Sequence, residues 1–286
     1  MKNDSARATG SVLDRALSSI RPCCQTLLTP HAVVLDAGAG APLALRLRSH
    51  PTGTLESQFC AAVAELLQLM DEVGLRGRRL QLVVSDFWVR PIVLPLTGKL
   101  PSDADIDIVL QSQYRRTYGE LMDGWRWCWA VQDARLLAAA WPAAGLAALR
   151  DGMAQRGCTL AQARPLAIDI ASNALGDDGS SWLAILEQHS FTLVRQQNGV
   201  WQDWCVTPCN ADVAANMPLQ LDRESARRQD DCRTVTLVDL TGAANTKLIR
   251  STLTDAGWTL RLGPSNQTHP SVGYRLSQAI TSGAPV

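Results

Sequence analysis

The sequence predicts an α/β protein with mixed sheets arranged in two related lobes. Apolar strand patterns come in pairs that are followed by helical patterns, and this arrangement occurs twice, near residues 32–165 and 180–262. Paired strands combined with crossing helices are typical of mixed sheets rather than of purely parallel ones. A length of 286 residues also exceeds what one compact core usually holds, which favours two units.

Shifts in composition divide the chain further. The first thirty residues are polar and mixed, and they predict a mobile arm over residues 1–30. The first lobe is predicted over residues 31–168 and the second over residues 169–263. The last residues, 264–286, are rich in Ser, Gly, Pro and Thr, and they predict a flexible tail.

The first lobe opens with "HAVVLDAGAGAPLALRLR", which predicts a strand, a glycine turn and a second strand. A helix is predicted from Leu55 to Val73, because apolar residues recur there every three to four positions on one face. We expect Gly74 or Gly77 to end this helix.

The stretch "LQLVVSDFWVRPIVLPL", residues 80–96, predicts two strands folded about Ser85 and Asp86. The second strand carries Pro91 and Pro95, and proline has no N–H to donate to a neighbouring strand. Proline is tolerated in a sheet only at an edge, a strand end or a bulge. We therefore expect this hairpin to lie at the margin of a sheet.

A helix led by acidic residues follows, with Ser102 or Asp103 as its N-cap and Gly119 at its end. The alternating stretch "WRWCWAV" and the apolar stretch "RLLAAAWP" predict two strands, and "AAGLAALRDGMAQRGC" predicts a helix behind them. This completes the predicted first lobe.

In the second lobe, Asn198-Gly199 stands between two alternating runs, which is the strongest short-range signal for a hairpin. Trp201 and Trp204 follow this turn, and a spacing of three allows them to share a strand face only if a bulge intervenes. We therefore expect one of them to be exposed or to lie under a loop. A helix around residues 212–229, the strand "RTVTLVDL", a helix around residues 243–256 and the strand "WTLRL" complete the lobe.

The charge balance and the cysteine spacing exclude several classes of function. The 27 basic and 27 acidic residues cancel and form no basic stripe, so neither a nucleic-acid footprint nor a patch for anionic membranes is predicted. No apolar run is long enough to span a bilayer, and the first residues lack the apolar core of a secretory signal, so we expect a cytosolic protein. The eight cysteines lack the spacing of a zinc site, which predicts buried, reduced thiols and no metal.

The order of parts from Leu80 onward resembles a known family. The stretch "VVSDFWVRPIVLPL", the acid-led helix ending in Tyr118-Gly119, the tryptophan-rich strand and "LLAAAWPAAGLAALRDGMAQRGCTLAQARP" are similar to the cytoplasmic part of the type II secretion protein GspL and to its type IV pilus relative PilM. The resemblance covers residues 36–262. It implies the actin-like, ribonuclease H-like fold of two lobes, reduced relative to full actin-like ATPases.

The resemblance also raises the question of a nucleotide site. Actin-like ATPases hold phosphates on two glycine-bearing β-turns, where backbone amides can approach closely. The candidate residues for ATP and Mg²⁺ are Asp36, Gly38 and Gly40 at the first turn, with Thr241 and Gly242 on the adenine side. The simpler interpretation of the first group is a glycine turn between two strands. At the second turn Glu187, Gln188 and His189 stand where small residues are needed, which argues against phosphate binding.

Three tryptophans on one predicted strand are the other candidate site. Trp125, Trp127 and Trp129 alternate with Arg126 and Cys128, so they share one strand face. This face is either an aromatic groove for a partner peptide or a core face under the helix of residues 143–157. The composition favours the core interpretation.

Taken with the resemblance, these features predict a non-catalytic scaffold with no cofactor. It would act in a bacterial pilus or secretion machine, at the inner face of the inner membrane, through membrane-anchored partner subunits. A partner's short cytosolic tail would supply the anchor, and a groove between the lobes or along the tryptophan strand would receive it. The alternatives are an actin-like ATPase or small-molecule kinase using Asp36, and a self-assembling structural protein. A homodimer also stays open.

Overall fold

The computed structural model describes residues 23–38, 43–48, 52–98, 101–174, 180–209, 213–241, 246–263 and residue 276. Within them lie three β-sheets with helices packed against them. None of the helices in these ranges combines the length and the apolar character needed to cross a bilayer.

The first sheet has the strand order β3-β2-β1-β4-β8. Its strands β1, β2 and β3 are antiparallel neighbours, whereas β4 and β8 add in parallel beyond β1. The strands are β1 (Cys23–Thr29), β2 (Ala32–Asp36), β3 (Ala44–Leu47), β4 (Arg79–Val84) and β8 (Thr159–Pro165).

The second sheet repeats this plan with the order β11-β10-β9-β12-β13. Three antiparallel strands are again followed by two strands that add in parallel. The predicted duplication is therefore confirmed, although β1 and β8 were not among the predicted strands. The strands are β9 (Ser180–Leu186), β10 (Ser190–Gln197), β11 (Val200–Pro208), β12 (Thr234–Asp239) and β13 (Thr259–Leu262).

The part of the chain between β4 and β8 forms a small three-stranded sheet of order β5-β7-β6. Its strands are β5 (Arg90–Pro95), β6 (Trp125–Gln132) and β7 (Arg135–Pro142). The helices of the described ranges are α1 (Leu55–Glu72), α2 (Asp103–Tyr118), α3 (Ala143–Gln155), α4 (Leu166–Ala174), α5 (Val213–Arg228) and α6 (Thr246–Asp255).

The predicted hairpin of residues 80–96 is wrong, because its two strands belong to different sheets. A short 3₁₀ turn, Asp86–Trp88, redirects the chain, and the fully buried Trp88 ring holds it against Phe59 at 5.4 Å between centroids. The expectation about the prolines is confirmed, since β5 is an edge strand. β5 lies beside β11, the edge strand of the second sheet, without pairing to it. Pro91 and Pro95 have no amide hydrogen with which to join the two sheets.

The arm and the tail need correction as well. Strand β1 begins at Cys23, inside the predicted arm, and it is a central strand whose Leu27 and Leu28 are fully buried. Its apolar pattern is interrupted by two cysteines, Gln25 and Thr26, so the sequence did not predict this strand. In the predicted tail, Leu276 is helical and fully buried in the largest core. Residues 1–22 and the rest of 264–286 lie outside the described residues.

Helices α1 and α3 pack closely against each other through two glycines. A Cβ atom at Gly145 would lie 2.4 Å from Cδ1 of Phe59, and one at Gly152 would lie 2.4 Å from Cδ1 of Leu67. Helix α2 begins with the predicted cap, here a capping box between Ser102 and Asp105, and ends at Gly119 with a φ of 68°.

The largest hydrophobic core crosses from the first lobe into the second. It joins residues of β1, β4 and α1 to residues of the second sheet, including Ile185, Val194 and Val238. The predicted lobe boundary between residues 168 and 169 falls inside α4, so this helix bridges the two lobes. The lobes therefore meet through a buried contact with a large apolar part.

Candidate binding site between the two lobes

Two β-turns face each other where the lobes meet. One joins β1 to β2 and carries Pro30 and His31, and the other joins β9 to β10 and carries Glu187 and His189. The rings of His31 and His189 meet edge to face, with centroids 6.1 Å apart and planes at 79°. Phe87, which follows β4, lies against His189 at 6.4 Å. Side chains thus fill the space between the turns.

Two buried carboxyl groups lie in this contact, one from each lobe. Asp86 is fully buried, and its Oδ2 accepts a hydrogen bond of 2.9 Å from the Ala167 amide at the start of α4. Glu187 is 4 % exposed. Burial, and secondly the charge of Glu187, raises the pKa of Asp86 well above its ordinary value. Burial raises the pKa of Glu187 to about 7, although the Ser85 hydroxyl beside it acts in the opposite direction.

His31 has a pKa shifted the other way. Burial, with smaller contributions from the charges of His189 and Arg48, lowers the pKa of His31 to about 4. Its imidazole is therefore neutral at neutral pH. A neutral histidine next to Pro30, which has no N–H, offers little to a phosphate group, which needs amide donors or positive charge.

The three tryptophans of β6 lie under α2, not under α3 as the core interpretation had it. The Trp127 indole donates to Oδ1 of Asp107 on α2 at 3.1 Å and stacks on Tyr114 at 5.6 Å between centroids. Trp125 is 8 % exposed, and Trp127 and Trp129 are partly buried in the same cluster. This face packs in the core under α2, and Trp129 also lines the groove described next.

The opposite face of the small sheet borders a groove of about 470 Å³. Small residues of β6 and β7, such as Cys128 and Ala139, form its floor, and Ile168 of α4 and the hairpin β10–β11 form its walls. None of the lining residues that the structure describes is charged. The lining residues are Cys128, Trp129, Ala130, Gln132, Leu137, Ala138, Ala139, Ile168, Ala171, Gln196, Gly199, Trp201 and Trp204.

One end of the groove is closed by Gln132. Its side-chain amide donates to the carbonyl of Gly199 at 2.8 Å, and its Oε1 accepts from the Trp201 amide at 3.1 Å. These two hydrogen bonds resemble those that a neighbouring strand would make, and they connect the small sheet to the second lobe. A bulge is present in β10–β11 near Trp201 and Trp204, and both indoles are buried with their rings 5.3 Å apart. The expectation that one of them is exposed or lies under a loop is therefore wrong.

No protein-family model and no curated protein matches this chain. Solved structures do. A chain of a PilM–PilN type IV pilus biogenesis complex superposes with a TM-score of 0.60 at 16 % sequence identity, covering 92 % of this chain and 99 % of that chain. A Bacteroides thetaiotaomicron protein with an actin-like ATPase fold and unknown function superposes with a TM-score of 0.58 at 8 % identity, covering 88 % and 94 %. The fold is actin-like.

A further similar structure is the cytoplasmic domain of EpsL, an inner-membrane component of the type II secretion system of Vibrio cholerae. Its TM-score is 0.49 at 10 % identity, and the match covers 91 % of this chain and 94 % of that chain. The actin-like fold implied by the resemblance is confirmed by the two matches with TM-scores of 0.60 and 0.58.

Within the actin-like fold, the predicted nucleotide residues do not come together. Asp36 ends β2 and pairs with Gln25 of β1. It lies four residues along the strand from Ala32, next to the interlobe turn, which is a separation of about 13 Å at the usual rise per residue. Thr241 follows β12 at the opposite, interlobe edge, where its amide donates to Asp239 at 2.8 Å. The first turn was misplaced because β1 was missed. Gly38 donates to Asp36 at 2.8 Å, and Gly40 and Gly242 lie outside the described residues.

Sequence reasoning missed Asp86 and Glu187 as partners. The available signal was an acid placed soon after an apolar strand in each lobe, in "VVSD" and in "AILE". The parallel pairs β1–β4 and β9–β12 bring both strand ends to the interlobe edge of this actin-like fold. Among the described residues, no group of three or more His, Cys, Asp or Glu side chains is placed to hold a metal ion.

Proposed function

We propose that this protein is a non-catalytic adaptor that binds an extended, apolar segment of a membrane-anchored partner in the interlobe groove. The partner would be a subunit of a pilus or secretion assembly machine, and its short cytosolic tail would hold the adaptor at the inner membrane. The uncharged groove between the small sheet and the second lobe carries this proposal. The fold shared with a chain of a PilM–PilN complex supports the choice of machine.

The size and lining of the groove determine what it can bind. A volume of about 470 Å³ falls in the range of sites that enclose a small ligand or a few side chains. Burying a charge without a partner is costly, so the bound segment should be uncharged where it enters. Exposed apolar surface on Cys128, Ala130 and Ile168 would be removed from water, which favours aliphatic side chains.

An extended conformation suits the strands that border the groove. β6 is an edge strand of the small sheet. It contains no proline, and its charged residue, Arg126, lies outside the groove lining. An edge of this kind can receive a peptide as an additional strand, with alternate side chains entering the groove. A helical tail would leave the backbone groups of β6 unused.

The filled contact between the lobes supports a role without catalysis. His31 and His189 occupy the space between the two turns, and Glu187 places a carboxyl where a phosphate would need positive charge. The described part of this contact contains neither lysine nor arginine within ion-pair distance of Asp86 or Glu187. A binding role needs none of these groups to react.

The proposal is tested by filling the groove. Cys128→Trp places an indole on the groove floor, and Arg126→Trp places one on the same strand face outside the groove lining. Synthetic peptides with the sequences of the cytosolic tails of single-span pilus and secretion proteins from the same genome are titrated by calorimetry. We expect binding to the parent protein and to Arg126→Trp, and a loss of at least tenfold in affinity for Cys128→Trp. Equal affinity for both variants would place the partner elsewhere, and no binding to the parent protein would contradict the proposal.

A further inference from the structure

The carboxyl pair in the lobe contact is connected to the groove by one helix. The Ala167 amide at the start of α4 donates to Asp86, and the next residue, Ile168, lines the groove together with Ala171 one turn later. An amide at a helix start that is bound by a carboxyl group fixes the position of that helix. Asp86 therefore positions one wall of the groove.

The other lobe holds Asp86 in return. Thr192 of β10 lies beside the Asp86 carboxyl, and the Ser85 hydroxyl and the Asp86 amide lie beside the carboxyl of Glu187. Glu187 and Thr192 belong to the second lobe, whereas Ser85 and Asp86 belong to the first. Each acid is thus buried and lies beside polar groups of the opposite lobe.

Few other titratable groups face the pair. The turns contribute His31 and His189, and Arg90 of β5 donates to the carbonyl of Phe87, next to Asp86. Arg164 and Arg48, on other neighbouring elements, are engaged by acids. These surrounding groups are His31, His189, Asp239 at the end of β12, the ion pair Arg164–Asp169 on β8 and α4, and the ion pair Arg48–Glu65 beyond His31. Two ionised carboxylates would repel each other strongly in this buried contact, because little compensating charge is present in the described residues.

We propose that Asp86 and Glu187 form a latch that holds the two lobes and the α4 wall of the groove together, and that the latch holds only while at least one of the two carboxyls carries a proton. The inference rests on the proposed function only where it concerns the groove. Deprotonation of both acids would loosen α4 and the groove wall, so peptide binding would be coupled to pH.

The latch is tested first on the free protein, without any peptide. Between pH 6.5 and 8 the unfolding equilibrium constant of the parent protein should rise with pH, by up to about tenfold per pH unit for each proton that the folded state retains. Glu187→Gln keeps the shape but cannot ionise, so its equilibrium constant should vary less over this range. Glu120→Gln, at an exposed position, should behave like the parent protein.

Hydrogen exchange reports on α4 directly. In the parent protein, protection of the α4 amides should fall between pH 6.5 and 8 beyond the intrinsic change in exchange rate, and Glu187→Gln should retain it. Asp86→Asn, whose side-chain oxygen can still accept from Ala167, should also retain protection. Parallel behaviour of the parent protein and Glu187→Gln in both measurements would overturn the proposal.

A bound cation is the competing explanation for two buried acids. Mg²⁺ alone, without nucleotide, is therefore titrated into the parent protein and into Glu187→Gln. A rise in melting temperature confined to the parent protein would show a metal site and overturn the latch. Failure of all peptides to bind, with the pH effects intact, would contradict the adaptor role and leave the latch supported.

Discussion

His31 of the first lobe and His189 of the second meet edge to face with their ring centroids 6.1 Å apart. Each ring belongs to the first β-turn of its sheet, so the contact joins equivalent positions of a duplicated architecture. The space between these turns is occupied by the protein's own side chains. His31 and His189 therefore lie where a ligand between the two turns would have to bind.

Replacing His31 by Phe should make stability fall more steeply as pH rises from 4.5 to 6.5. The pKa of His31 is about 4 in the folded protein and 6.5 ordinarily, so this group adds stability as pH rises through that range. Glu187, with a pKa of about 7 against 4.5 ordinarily, acts with the opposite sign. His31→Phe removes the first slope, up to about 1.4 kcal/mol per pH unit. Urea denaturation at intervals of half a pH unit measures it, and an unchanged slope would refute the assignment.

Replacing Gly145 by Ala should destabilise the protein by about 1–3 kcal/mol, as overpacking of a core usually does. The new Cβ would meet the ring of Phe59, which is fully buried and has no room to move. Gly152→Ala is the matched control. It creates the same 2.4 Å contact, but with the rotatable tip of the partly exposed Leu67, so its cost should be smaller. Equal losses in chemical denaturation would contradict this account.

Replacing Gln132 by Ala should loosen the small sheet from the second lobe. The change leaves the Gly199 carbonyl and the Trp201 amide without their partner, which costs about 1–3 kcal/mol when such groups stay buried. Gln202→Ala is the control, because the side-chain amide of Gln202 donates within its own strand, to the Val200 carbonyl at 3.4 Å. Unfolding free energies and the exchange rate of the Trp201 amide measure the difference. Faster exchange in both variants would argue against a specific tie by Gln132.

Millimolar Mg²⁺-ATP should leave the melting temperature unchanged. A ligand at about a hundred times its dissociation constant would add roughly 2.7 kcal/mol of stability and raise the melting temperature by a few degrees. Such a rise would revive the alternative of an actin-like ATPase or kinase. Asp36→Ala then serves as the second measurement, since that alternative requires Asp36 to position the Mg²⁺-bound phosphate.

Much of the architecture could be predicted from local patterns. The helix from Leu55, the capped helix after Ser102 and the Asn198-Gly199 hairpin lie where the pattern indicated. Strand β1 could not be predicted with the same rules, because Gln25 and Thr26 interrupt its apolar run although the strand is central. Missing it moved the first turn from His31 to Gly38, and with it the predicted phosphate residues Asp36 and Gly38.

The sequence by itself determined most of the strands, helices and caps, and it determined the duplication, because these depend on spacings of two to four residues. Only the tertiary structure decided which strands pair, that α2 covers Trp127, and that Asp86 meets Glu187 about a hundred residues further along the chain. The physical reason is that burial and charge depend on distant segments. A carboxyl group after a strand is an ordinary turn residue in solvent, and it becomes a buried interlobe contact with a raised pKa only when a second sheet excludes the water around it.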